Sequence, residues 1–152
     1  MNKKYVSLAF AMAAGAALSL PAHSQVKPDV LVGQRQAAMK LQGKYFGPLA
    51  GMQQGKVPYN QQIVQRNAQY LEVLSKMPSD GFVESTKGEK SGALPAVYSD
   101  TAKFKQASEH LEAETAKLAQ VSKSGDEAAV KGQIQAVGKA CAACHDNFRE
   151  KR

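Results

Sequence analysis

The sequence predicts an all-α protein folded as an antiparallel four-helix bundle. Four stretches carry apolar residues at the spacing of an α-helix, and no stretch alternates apolar and polar residues over a useful length, as a half-buried strand would. The connections between these stretches are short, with one exception. This combination is typical of a helix bundle with neighbouring antiparallel helices.

The first two predicted helices are separated by a turn at residues 55–58, Gly-Lys-Val-Pro. The first helix begins at Pro28 and runs to about Met52. The second follows Asn60, a residue type that caps helix N-termini, and reaches Met77 and Pro78. The residues predicted to face the core from these two helices are Leu31, Ala38, Tyr45, Leu49, Met52, Ile63, Tyr70, Leu74 and Met77.

The last two predicted helices share a single short connection. Ser99 is expected to cap the third helix, which runs to about Ser124; Gly125 then ends it, and Asp126 starts the fourth. Helical spacing again selects the residues expected to face the core, which are Phe104, Leu111, Leu118, Val121, Val130, Ile134, Val137, Cys141, Cys144 and Phe148.

The connection between the second and third helices, residues 78–95, is long for a bundle of this size. Long loops are often functional or cover a cofactor, and Phe82 is expected to fold back as an apolar lid. A flexible linker is the alternative. The chain has no tryptophan and only five phenylalanines, so its core is thin and has use for a large apolar group.

The N-terminus has the pattern of a cleaved export signal. Lys3 and Lys4 precede an uncharged apolar run, which Pro21 and a small-residue cleavage pattern ending at Ser24 follow. The run is short for a membrane span of about 20 residues. Residues 1–24 are therefore expected to be removed, leaving one exported domain, residues 25–152, that is not held at the membrane.

The charge pattern of the chain does not indicate a nucleic-acid partner. The formal net charge is +7, and loss of the two lysines of residues 1–24 leaves 18 basic against 13 acidic residues, a balance of +5. These cations are dispersed and no nucleic-acid-binding motif accompanies them. The charge is interpreted as a solvated surface that steers an anionic partner.

Both cysteines of the chain lie near its end, in the motif Cys141-Ala-Ala-Cys144-His145. A disulfide would close a very short loop and leave the histidine unexplained. A zinc site needs a complete tetrahedral ligand set, for which only His110 and scattered carboxylates remain. Covalent haem uses all three residues, because the thiols add to the vinyl groups and the imidazole binds iron.

The spacing of this motif suits a haem attached to a helix. Positions 141, 144 and 145 fall on one helical face, which continues the apolar stripe toward the core. The sequence therefore predicts one covalent haem c near the C-terminus, with Cys141 and Cys144 as thioethers and His145 as axial iron ligand.

A second axial ligand would have to precede His145, because the last seven residues contain neither methionine nor histidine. The candidates are Met39, Met52, Met77 and His110. His110 lies among glutamates and is expected on the surface. Met52 and Met77 are expected in ordinary core or loop packing. Met39, in the middle of the first helix, is compatible with two roles, an iron ligand or an apolar distal wall.

These features resemble the cytochrome c′ family, the class II c-type cytochromes, over essentially the whole chain after residue 24. VGQRQAAMKLQGKYFG resembles the first helix of the family, and GKVPYN resembles its turn into the second. YSDTAKFKQ resembles the entry to the third helix, and VGKACAACHDNFREK resembles the haem-binding C-terminus.

The resemblance implies a periplasmic protein, often a homodimer through its first helix, with His145 as the proximal iron ligand. It implies that Arg35 and Gln36 hold a haem propionate and that Arg149 lies on the proximal side, where helical spacing puts it one turn after His145. It also implies a closed apolar distal pocket that admits nitric oxide or carbon monoxide to a five-coordinate, high-spin iron.

The expected function is gas binding at this iron, together with one-electron exchange with a periplasmic redox partner, and not enzymatic turnover. The alternative is a six-coordinate, low-spin electron-transfer cytochrome in which Met39 is the sixth ligand.

Overall fold

A computed structural model describes residues 26–151; the predicted signal segment, residues 1–24, lies outside them. The described chain forms five α-helices: α1 (Pro28–Gln53), α2 (Gln61–Leu74), α3 (Ala96–Ser99), α4 (Thr101–Val121) and α5 (Glu127–Phe148). α1 packs along α2, and α4 packs along both α2 and α5. The predicted four-helix bundle is confirmed, with the short α3 as an addition. None of the helices in residues 26–151 combines the length and the apolarity that a membrane span requires.

Local signals set several of the helix ends. The Asn60 side chain accepts a hydrogen bond from the backbone N–H of Ile63 at 3.0 Å, and that of Asp126 accepts one from Ala129 at 3.0 Å. Gly125 turns the chain between α4 and α5 with a φ of +77°, a conformation that favours glycine. These three predicted boundaries are confirmed.

The start of the third long helix differs from the prediction. Ser99 is the last residue of α3, and Asp100 caps α4 by accepting a hydrogen bond from the N–H of Lys103 at 3.4 Å. The Lys103 ammonium lies 2.9 Å from the same carboxylate, and this hydrogen bond lowers the pKa of Asp100. The sequence signal was ambiguous, because serine and aspartate are both good caps.

The second helix ends earlier than predicted, at Leu74, and a 3₁₀ turn follows at Met77–Gly81. Met77 and Tyr70, predicted to face the core, are 47% and 44% exposed, so those two assignments are wrong. Tyr70 instead stacks at an angle on Tyr45 of α1, with ring centroids 4.8 Å apart.

The close-packed core fills only one end of the bundle, the end nearest the α1–α2 and α4–α5 turns. Its buried members are Leu49, Met52, Val64, Ala68, Leu71, Leu118, Ala119, Val130, Ile134 and Val137. Six of these ten were predicted to face the core, and four were not: Val64, Ala68, Leu71 and Ala119. The opposite end, where α5 carries the cysteine motif, lies outside this cluster.

The long loop is ordered against this open end. Gly81 lies against α1, where an added Cβ would approach the Arg35 Cβ and the Leu31 carbonyl oxygen to 2.9 Å. Phe82 turns inward and packs on Phe104, with ring centroids 4.8 Å apart. The predicted inward return of Phe82 is confirmed.

The far end of the loop is joined to the C-terminal segment by backbone hydrogen bonds. The N–H of Leu94 donates to the carbonyl of Phe148 at 3.0 Å, and the N–H of Glu150 donates to that of Gly92 at 2.9 Å. The loop is thus fastened at both ends, to α1 through Gly81 and to the end of α5.

Gly81→Ala is expected to lower the free energy of unfolding by about 1–3 kcal/mol, because the new Cβ overlaps backbone and forces the loop away from α1. Gly88→Ala is the matched control, since nothing lies within 4 Å of a Cβ at that position of the same loop. Chemical denaturation of the haem-loaded protein measures both. Equal stability of the two variants would contradict the close contact.

Candidate cofactor site

A cavity of about 610 Å³ occupies the open end of the bundle. This volume is within the usual range of cofactor and ligand sites. Side chains from all five helices and the long loop form its walls, which are mostly apolar. The apolar lining residues include Phe46, Leu71, Phe82, Val97, Phe104, Leu111, Val137 and Phe148.

Cys141, Cys144 and His145 all line this cavity, because the helical repeat of α5 brings them to one face. The two cysteines are half-buried and not joined to each other. Burial raises the pKa of the Cys141 thiol, and the nearby Cys144 raises it further; burial also raises the pKa of Cys144. Both thiols are therefore neutral at ordinary pH.

The disulfide and zinc alternatives find no support in residues 26–151. The cysteines are free, and no group of three or more histidine, cysteine, aspartate or glutamate side chains in that part of the chain is arranged to hold a metal ion.

Met39 also lines the cavity, from α1. The three other residues considered as second axial ligands do not. Met52 is buried in the core at the other end, Met77 is exposed, and the His110 side chain is 58% exposed with Glu114 3.9 Å away. Met39 also borders a second, smaller cavity of about 20 Å³, together with Phe82, Phe104 and Leu111.

Arg35 places a positive charge in the wall of the cavity, although it is only 3% exposed. None of the described residues gives it a carboxylate partner. Its guanidinium group lies 4.1 Å from the centre of the Phe82 ring. All of its hydrogen-bond acceptors are neutral: they are the Gly81 carbonyl, the Thr86 hydroxyl at 3.1 Å, the Tyr98 hydroxyl at 3.2 Å and the Ser91 hydroxyl at 3.0 Å.

These bonds leave one edge of the guanidinium available. Nη1 serves three acceptors and Nη2 serves one, whereas Nε serves none in residues 26–151. Since no enclosed side-chain nitrogen or oxygen in that range lacks a partner, and Arg35 lines the cavity, Nε is not sealed within protein. An arginine edge with unpaired N–H groups is a bidentate site for a carboxylate.

Gln36 and Lys40 line the cavity beside Arg35, and both are exposed, as is Arg149. The expectation that Arg149 continues the helical face of His145 is wrong, because α5 ends at Phe148 and Arg149 has an extended backbone. It reaches the cavity because an antiparallel bridge to Ala93 of the long loop holds it there.

Thr86, Ser91, Tyr98 and Lys40 were not predicted to contribute to the site. Thr86 and Ser91 lie in the long loop, where no motif or periodicity marks them, and Tyr98 begins YSDTAKFKQ, a stretch that predicted only the entry to a helix. Predicting Lys40 would have required knowing which side of α1 borders the cavity.

Comparison with known proteins decides the family. A family model described as Cytochrome C′ matches residues 30–149. The chain belongs to the cytochrome c′ family. Cytochrome c′ of Rubrivivax gelatinosus is 40% identical over 126 residues, which cover 82% of this chain and 98% of that protein. The protein described here is thus a haem protein of the cytochrome c′ type.

Solved structures of cytochromes c′ share the fold. The crystal structure of the Rubrivivax gelatinosus protein matches with a TM-score of 0.78 and 38% identity, covering 82% of this chain and 98% of that one. A nitric oxide complex of an Alcaligenes xylosoxidans variant matches with a TM-score of 0.77 and 32% identity, covering 84% and 98%. A carbon monoxide complex of another variant matches with a TM-score of 0.76 and 32% identity, covering 83% of this chain and 98% of that one.

This cytochrome c′ binds one covalent haem c, as its family does. The geometry of the open end fits that cofactor on independent grounds. The cavity is large and apolar, the two thiols and the imidazole share one wall, and the buried Arg35 offers unpaired N–H donors suited to a propionate.

Proposed function

We propose that this cytochrome c′ binds nitric oxide and carbon monoxide at a five-coordinate, high-spin haem iron. In this proposal Cys141 and Cys144 form the thioethers, His145 is the axial ligand, and Met39 is an apolar wall of the distal side. The observation that carries the proposal is the small cavity beside Met39, which offers room for the flexible thioether chain to move when a diatomic ligand enters.

Two further observations support gas binding. Solved cytochromes c′ of 32% identity include complexes with nitric oxide and with carbon monoxide. The side chains around Met39 are largely apolar, including Phe82, Phe104 and Leu111, and such surroundings suit an uncharged diatomic ligand. The protein acts by binding and by electron exchange, without enzymatic turnover, and after export and loss of residues 1–24 it resides in the periplasm.

The propionates of the haem are assigned to Arg35 and Gln36. The free edge of the Arg35 guanidinium supports the first assignment, and the position of Gln36 in the cavity lining supports the second. Removing either partner of a buried charge-assisted pair leaves the other uncompensated, which makes Arg35 the more important of the two.

Electron transfer with Met39 as sixth ligand is the second candidate function. It is favoured by one observation: among the methionines and histidines of residues 26–151 other than His145, only Met39 lines the cavity. The exposed cations Lys40 and Arg149 at the cavity edge would steer an anionic periplasmic redox partner toward the haem.

The absorption and resonance Raman spectra of the purified ferric protein decide between the two functions. High-spin iron is expected in the parent and in Met39→Leu, because leucine keeps the apolar wall. Met39→Ala is expected to speed carbon monoxide association roughly tenfold, equivalent to a barrier lowered by about 1.4 kcal/mol.

Met52→Leu is the matched control, since Met52 is buried in the core and does not line the cavity. It is expected to leave spectrum and rate unchanged. A low-spin parent that becomes high-spin in Met39→Leu would overturn five-coordinate gas binding and establish the electron-transfer alternative.

Arg149→Ala is expected to change nitric oxide kinetics while leaving covalent haem attachment intact, because Arg149 lines the cavity next to the chain segment that carries His145. Stopped-flow traces measure the kinetics, and the mass of the intact protein measures attachment. Lys151→Ala, two residues further on and also exposed, is the control for loss of a nearby charge. Traces identical to the parent would refute a proximal role for Arg149.

A homodimer through α1 and α2 is part of the proposal. Apolar side chains are exposed on these two helices and just after them: Leu41, Tyr70, Val73 and Met77 are between 41% and 56% exposed. The stacking of Tyr45 on Tyr70 joins the two helices into one surface. Adjacent exposed apolar residues of this kind mark protein interaction sites.

Val73→Glu is expected to convert the dimer to a monomer, because it places a charge within an apolar contact. Val57→Glu is the matched control, since Val57 is 45% exposed but lies in the turn after α1. Sedimentation velocity of the haem-loaded proteins gives the oligomeric state. The assignment of this surface fails if both variants remain dimers.

A further inference from the structure

We propose that Tyr98 and Thr86 are positioning residues for the haem site, holding the Arg35 guanidinium so that its free edge faces the cavity. The two hydroxyls do not line the cavity themselves. They act through Arg35. This inference rests on the proposed contact between Arg35 and a haem propionate.

The hydroxyls form a directed chain of hydrogen bonds. Arginine can only donate, so the hydroxyls of Thr86 and Tyr98 both accept from Nη1, at 3.1 and 3.2 Å. The single hydroxyl hydrogen of Thr86 is directed to a backbone carbonyl, of which Val83 is the nearer at 2.8 Å. The bond of 3.0 Å between the two hydroxyls is therefore donated by Tyr98 to Thr86.

This chain fixes the guanidinium in two ways. Nη1 has no donor left for the cavity, so only the edge that carries Nε and the remaining N–H of Nη2 can serve a carboxylate there. The Phe82 ring, 4.1 Å from the guanidinium carbon, covers its face. Rotation of the group would break several buried bonds at once.

The acceptors come from separate parts of the fold, which is why they act as a clamp. Gly81 and Thr86 belong to the long loop, and Tyr98 belongs to α3. Thr86 is 1% exposed, so its hydroxyl would be costly to bury without these partners. A buried cation with only neutral acceptors is held in place by their dipoles while its charge remains available to an incoming anion.

The position of this charge has an electrostatic consequence for the haem. A buried cation favours the reduced haem, which carries one positive charge less than the oxidised haem. Removing or displacing the Arg35 charge therefore lowers the reduction potential. Within residues 26–151 the neutral Tyr98 hydroxyl bonds only to Arg35 and Thr86, so its loss is expected to change the potential mainly through movement of Arg35.

The test is a double-mutant cycle in the haem-loaded protein, with the midpoint reduction potential at one fixed pH as the readout. Arg35→Gln is expected to lower the potential. Tyr98→Phe removes one oxygen and keeps the ring; it is expected to shift the potential in the same direction by a smaller amount. In the Arg35→Gln background, Tyr98→Phe is expected to cause no further shift.

Tyr59→Phe is the matched control, because Tyr59 is not part of the cavity lining and its hydroxyl bonds to the Gln61 side chain at 2.6 Å. It is expected to leave the potential unchanged. Thr86→Val removes the second hydroxyl at nearly constant shape. Thr86→Val is expected to shift the potential in the same direction as Tyr98→Phe. If Tyr98→Phe does not fold, Thr86→Val takes its place in the double-mutant cycle.

The outcomes separate this inference from the proposed function. If Arg35→Gln lowers the potential but neither hydroxyl variant does, or if the shifts simply add, the positioning role is wrong while the Arg35 assignment stands. If Arg35→Gln leaves the reduction potential unchanged, the positioning role and the Arg35 assignment are both wrong. Carbon monoxide binding to the reduced parent tests gas binding independently of all these variants.

Discussion

The buried positive charge of Arg35 is the interaction on which the arrangement of the open end depends. The guanidinium is nearly inaccessible, yet its protein partners are neutral oxygens and an aromatic ring. An unpaired buried charge is costly, so the surrounding structure has to supply dipoles from several directions. Those dipoles come from the loop and from α3, and the loop is consequently ordered over the cavity.

The interior of the bundle has two parts, a packed core at one end and a cavity at the other. One end is packed by aliphatic side chains such as Leu49, Leu118 and Ile134. The other end is lined by aromatic rings around a space that protein atoms do not fill. A haem in this space would complete the apolar interior that a thin core leaves open. Stability and cofactor binding are therefore closely linked in this protein.

The long loop connects the two sides of the haem site. Near its start, Gly81 and Thr86 hold Arg35 of α1. Near its end, Gly92 and Leu94 bond to the segment that follows α5, where Arg149 lies. A change in the loop would thus reach both the Arg35 side and the His145 side of the cavity.

The sequence by itself determined the features that arise from neighbouring residues. The caps at Asn60 and Asp126 and the turn at Gly125 act within a few residues, and the cysteine motif lies within one and a half turns of a single helix. Only the tertiary structure decided the rest. Arg35 is 46 residues from Gly81 and 63 from Tyr98, and no local pattern specifies contacts over such separations. The position of Arg149 was likewise decided by a long-range bridge to Ala93, which takes the chain out of the helix that its local spacing suggested.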